Sequence, residues 1–167
     1  MTIAPPEFSR HFRAHDVAGI PRQQMIEADP AEREALARRF NLIGLERLTA
    51  ALELSREAAG IRVTGQIHAS GDQACVATAE PVPFLITEPL KILLTEARPE
   101  GDEIELHDAD LDTEILEGDV IDLGEIAAQA LALALDPYPR SVHAAPGVVT
   151  EEQARADSSP FAILRKK

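Results

Sequence analysis

The chain is expected to fold as a single α+β domain: a bent antiparallel sheet or partly open barrel of five to six strands, with two packing helices. Three features lead there. A period of two runs through Leu48, Ala50, Leu52 and Leu54 and again through Ile61, Val63, Gly65, Ile67 and Ala69, the pattern of strands with one wet face. Two segments, at Asp29 and at Asp122, open with cap residues and continue at helical spacing. The 167 residues, 45% hydrophobic and 27% charged, suit one core, and 4% aromatic content makes that core aliphatic.

Residues Phe8 to Met25 have no helical period and contain Gly19 and Ile20-Pro21, so they read as extended chain or short edge strands with a turn. Asp29-Pro30-Ala31-Glu32 starts a helix, with Asp29 as N-cap, Pro30 at the first position and Glu32 placed to reach back to the cap. It should run to about Phe40, packing Ala35, Leu36, Ala37 and Phe40 and leaving Arg33, Arg38 and Arg39 to solvent. The alternating segments follow, separated by Ser55 to Gly60. Gly71-Asp72 is expected to turn the chain, and Gln73 to Thr78 to form the next strand. Pro81 and Pro83 have no amide to give a ladder, which keeps Glu80 to Pro83 out of a central strand. Phe84 to Thr87 and Leu90 to Thr95 follow as one bent strand or two around Pro89, and Thr113 to Leu116 pairs back. Asp122-Leu123-Gly124-Glu125 opens the second helix, whose apolar face Leu133 and Leu135 widen, and Asp136-Pro137-Tyr138-Pro139 stops it. Residues 1–140 thus form the domain, with an extended N-terminal segment. Residues 141–167 read as a flexible tail, ending in a small apolar plug at Phe161, Ile163 and Leu164 and then Arg165, Lys166 and Lys167.

The net charge of -13 is unevenly placed: Glu96 to Glu125 holds thirteen acidic residues against Arg98, leaving the rest of the chain at -1. A solvated loop accounts for such a run; the sharper reading is a docking surface for a basic partner, with Asp102, Glu103, Glu105, Asp108, Asp110 and Asp112 as candidates. The single cysteine, Cys75, makes neither an intramolecular disulfide nor a multi-thiolate metal site, and fits a reducing, cytoplasmic setting. No secretory signal is visible in Met1 to Phe12, and Ile126 to Leu135 is too short to span a bilayer.

The search for catalysis is negative. The sequence has no glycine-rich phosphate loop, no Gly-x-Ser-x-Gly elbow and no His-Glu-x-x-His helix. His11 and His15 are four apart but in extended chain, where that spacing does not converge on a metal. Cys75 has no acidic or histidine neighbour in sequence to activate it and reads as a small buried hydrophobe. No enzyme, metal or cofactor is expected.

The segments EADPAEREALARRFNLIGLERLTAALEL, CVATAEPVPFLITEPL and DVIDLGEIAAQALALALDPYPR, with the ending SSPFAIL, together resemble the YceD family of bacterial proteins, over roughly residues 8 to 164. The motif positions are Cys75, Glu80 and Pro81 in Cys-Val-x-Thr-x-Glu-Pro-Val, and Asp122 and Leu123 in Ile-Asp-Leu-Gly-Glu. Some members carry Cys-x-x-Cys where this chain has Thr78, so a metal or redox role does not carry over. The resemblance implies a non-enzymatic factor in large-subunit ribosome biogenesis that promotes accumulation or maturation of 23S ribosomal RNA. Two routes are open. Arg10, Arg13, Arg22, Arg33, Arg38 and Arg39, with Arg165, Lys166 and Lys167, contact RNA phosphates, or the acidic segment holds a basic ribosomal protein as an adaptor or chaperone would. An RNA-processing enzyme is the remaining alternative. For the arginines, surface solubility with local pairing to Glu32 and Glu34 is the plain reading.

Overall fold

Asp29 caps the first helix as its neighbours dictate. Its carboxylate accepts from the Glu32 amide at 2.9 Å, Glu32 accepts from the Asp29 amide at 2.8 Å, and Pro30 follows the cap, so α1 spans Pro30–Arg39. Two amides that no helical carbonyl can satisfy are thereby paired. Asn41, with φ of 55°, then turns the chain into the sheet.

The computed structural model describes residues 7–95, 112–116 and 118–144. Besides α1 these form β1 (His11–Arg13), a 3-10 turn (Ala14–Asp16), β2 (Arg22–Glu27), β3 (Leu42–Glu57), β4 (Gly60–Ala74), β5 (Pro81–Thr95), β6 (Asp112–Ile115), β7 (Val120–Asp122) and α2 (Leu123–Ala134). One sheet has the order β2-β3-β4-β5-β6, and β1 pairs with β7 in a separate ribbon. The α+β class stands. The sheet, however, is open and mixed: β6 runs parallel to β5, pairing Ile92–Thr95 with Asp112–Ile115.

The β3–β4 hairpin is longer than the alternation alone indicates. Gly71 and Asp72 do not turn; they continue β4 opposite Leu45 and Gly44, and the strand ends at Ala74. Gly71 has the close approach of a glycine within a sheet, since an added Cβ would sit 2.3 Å from the Gly44 carbonyl oxygen. Cys75 to Thr78 consequently lies beyond the strand, in the turn to β5.

β5 is one strand despite its prolines, and its register with β4 is unbroken from Ala74↔Pro81 to Ile61↔Leu94. Pro81, Pro83 and Pro89 share one parity with Thr95, whose carbonyl points away from β4 and accepts from the Leu116 amide at 2.8 Å. The missing proline amides therefore fall on the edge away from β4, which β6 covers at Ile92–Thr95.

The inward rows of β3, β4 and β5 supply Leu48, Leu52, Leu54, Ile61, Val63, Ile67, Leu90, Ile92 and Leu94 to the core. Leu36 of α1, Phe8, and Leu123, Ile126 and Leu131 of α2 close it from the other side. Leu135 packs partly against this core, but Leu133 does not: it is 84% exposed. The core-facing stripe of α2 runs through Leu123, Ile126, Ala127 and Leu131, and position 133, seven after Ile126, lies at its margin. Ser141 to Ala144 are described, whereas the rest of the expected tail, 145–167, and most of the acidic segment, 96–111, lie outside the described residues.

Candidate functional site

The start of α2 is tied to the N-terminal segment by one carboxylate. Asp122 Oδ1 accepts from the amides of Gly124 at 3.0 Å and Glu125 at 3.3 Å, and also from the Arg10 amide at 2.8 Å. Oδ2 accepts from the Ser9 hydroxyl at 2.5 Å. Burial works to raise the Asp122 carboxyl, but the hydrogen bonds from Ser9 and the three amides outweigh it and hold it below the usual carboxylate range. Leu123 is buried in the core and donates its amide to the Arg10 carbonyl at 3.0 Å. Gly124 fits because a Cβ there would lie 2.5 Å from the Phe8 carbonyl oxygen. Glu125 accepts two bonds from Arg39, at 2.8 and 2.7 Å, which lowers its carboxyl and raises the guanidinium. Each residue of Asp-Leu-Gly-Glu thus has a structural task.

Ser9, His11 and Asp122 lie within reach of one another, yet the polarity is wrong for a nucleophile. Ser9 gives its one proton to Asp122, so the 2.9 Å contact with His11 Nε2 leaves the histidine as donor. His15 pairs instead with Asp119, whose carboxyl it lowers. The two histidines therefore serve different carboxylates, and among the described residues no group of three or more His, Cys, Asp or Glu is placed to hold a metal.

The Cys75 turn fastens the chain that leaves α2. Cys75 and Val76 donate their amides to the carbonyls of Glu80 at 2.8 Å and Pro139 at 2.9 Å. Ser141 donates its amide to Cys75 Sγ at 3.3 Å and its hydroxyl to Glu80 Oε2 at 2.8 Å. Pro81 follows as the first residue of β5. Cys75 is buried, 3% exposed, but its thiol is altered in a way that no acidic or histidine neighbour in sequence signals: hydrogen bonding from Thr78, then from the Ser141 amide, lowers it to about 6 against the opposing effect of burial. Thr78→Val keeps the shape and removes the hydroxyl, so thiol titration by ultraviolet absorbance should shift upward, toward the ordinary value of 9.0. An unchanged titration would assign the effect to the backbone amides.

The candidate arginines are dispersed over several elements and largely engaged. Arg10 makes a two-pronged pair with Glu32, at 2.6 and 2.8 Å, and stacks over Phe8; Arg38 pairs with Glu34, and Arg39 adds Glu7 to Glu125. Arg22 and Arg33 donate to the carbonyls of Asp16 and Ala28. Arg13 lies on β1. Arg165, Lys166 and Lys167 lie outside the described residues, as do Asp102, Glu103, Glu105, Asp108 and Asp110. Asp112 begins β6.

Beside β6 lies a groove that the sequence did not announce. It encloses about 440 Å³ between α2 and β5, with Leu90, Ile92, Ile126, Ala130 and Leu133 as apolar lining and Glu88, Lys91 and Glu114 among its polar residues. Glu88 shares the parity of the buried Leu90, Ile92 and Leu94 but is exposed, because the sheet is open there. That parity was legible; the opening was not.

No curated protein and no solved structure matches the chain. A family model described as Large ribosomal RNA subunit accumulation protein YceD matches residues 63–166, from within β4 through the Cys75 turn, the groove and α2. Both motif regions, Cys75 to Pro81 and Asp122 to Glu125, lie inside that match and are built here as the turn and the helix start that close the fold, so the chain belongs to the YceD family.

Proposed function

We propose that the chain is a non-enzymatic, cytoplasmic factor in large-subunit biogenesis that promotes accumulation of 23S ribosomal RNA by holding a basic ribosomal protein. The family description supplies the connection to large-subunit RNA. The observation that favours protein over phosphate is the engagement of the arginines: Arg10 and Arg39 are committed to Glu32 and Glu125 by paired bonds, and Arg38 to Glu34. A phosphate would have to displace these carboxylates, which are already the better-placed partners. The chain as a whole, at -13, repels RNA and attracts cations.

The test is to replace Asp108, Asp110 and Asp112 with Asn and to measure binding to purified basic large-subunit ribosomal proteins and to a 23S ribosomal RNA fragment at two salt concentrations. Protein binding should weaken by about tenfold, roughly 1.4 kcal/mol, with a shallower salt dependence. Tighter RNA binding by the variant, with no protein bound, would overturn the reading in favour of phosphate contact by Arg13, Arg165, Lys166 and Lys167.

A further inference from the structure

We propose that the groove between α2 and the proline-bearing half of β5 receives a basic amphipathic helix of the partner protein; this rests on the reading above that the partner is basic. Three observations converge on that occupant. The first is apolar. Leu133 stands 84% exposed at the margin of a groove whose lining includes Leu90, Ile92, Ile126 and Ala130, so the docked side chains have an apolar surface to cover.

The second is charge. Glu88 and Glu114 both line the groove, and among the described residues neither carboxylate has a hydrogen bond or ion pair. Glu88 in particular occupies a position where β5 otherwise turns leucine and isoleucine toward α2. Set against Lys91, the two carboxylates leave the groove net negative, and they suit Lys or Arg flanking an apolar stripe. A phosphate-bearing ligand would meet carboxylates instead.

The third observation selects a helix over a strand. An added strand needs amide donors along the free edge of β5, and Pro81, Pro83 and Pro89 remove them at three positions on that edge. A helix satisfies its own backbone and docks by side chains alone, with anchors at i, i+3, i+4 and i+7.

The experiment uses the full chain and its Leu133→Lys and Glu88→Lys variants. Each is titrated by fluorescence anisotropy with individually purified large-subunit ribosomal proteins and with a 23S ribosomal RNA fragment. Both substituted positions are exposed, so thermal unfolding should match wild type. At least one ribosomal protein is expected to bind wild type, and each variant should weaken that binding about tenfold or more, the Glu88 variant also flattening its salt dependence. Retained binding by both variants, together with loss on the Asp108, Asp110 and Asp112 replacement, would overturn the groove while leaving the basic-partner reading intact. Binding of the RNA fragment with no ribosomal protein bound would overturn both, as would the absence of any binding.

Discussion

Gly65→Ala is expected to cost about 3 kcal/mol or more and to leave little folded protein at physiological temperature. The residue sits in the middle of β4 with φ of 156°, a backbone conformation open to glycine and costly to any residue bearing a Cβ. It stands between Leu52 and Leu90 on the inward row, and an added methyl would lie 2.0 Å from the Ala51 carbonyl oxygen. That oxygen belongs to the backbone of the β3–β4 ladder, so relief requires β3 and β4 to part. Gly44→Ala is the comparison: a Cβ there meets nothing within 4 Å and φ is ordinary, so its cost should stay near 0.5 kcal/mol. Urea unfolding of the two variants measures the difference. Equal midpoints would show that the hairpin absorbs the methyl by relaxation.

Asp122→Ala should cost about 2 to 3 kcal/mol, more than the roughly 1 kcal/mol of an ordinary cap. The excess comes from the Ser9 hydroxyl and the Arg10 amide, which lose their acceptor along with the two helix amides. Asp122→Asn keeps an acceptor oxygen and should recover about half of the loss. The pH dependence has a definite sign. The folded carboxyl lies below its ordinary value of 3.8, so its contribution is present above that value and disappears as pH falls through the folded one. Wild type should therefore lose its advantage over Asp122→Ala in acid, and a constant gap across that range would remove the carboxylate's charge from the account.

The parts of the fold that were legible in the sequence are those whose cause is local. Asp29 and Asp122 cap helices because a carboxylate beside free amides is sufficient, and the period of two in β3 and β4 survived because one face is buried. Gly71-Asp72 misled because the same dipeptide that turns a chain also tolerates the close approach of Gly44 across a ladder. Leu133 misled because hydropathy does not reveal how far a sheet extends beneath a helix. The candidate site was less legible still. Arg39 and Glu125 are 86 positions apart, as Ser141 and Cys75 are 66, and no spacing rule joins such pairs.

The pairing of β1 with β7 also orders events in time. Arg10 and Asp122 are separated by 112 positions, so the strap waits while the chain between them is made. At about 5 to 20 residues per second this is an interval of some seconds. During it the β3–β4 hairpin gains its strand partners β2 and β5, but Phe8, buried at 1% in the finished protein, has no Gly124 for its backbone to lie against. A newborn chain therefore lacks the seat of its N-terminal segment until α2 emerges from the ribosome. Variants that loosen this clasp should be cleared by cellular proteases out of proportion to their equilibrium stability, because the vulnerable interval recurs with every molecule synthesised.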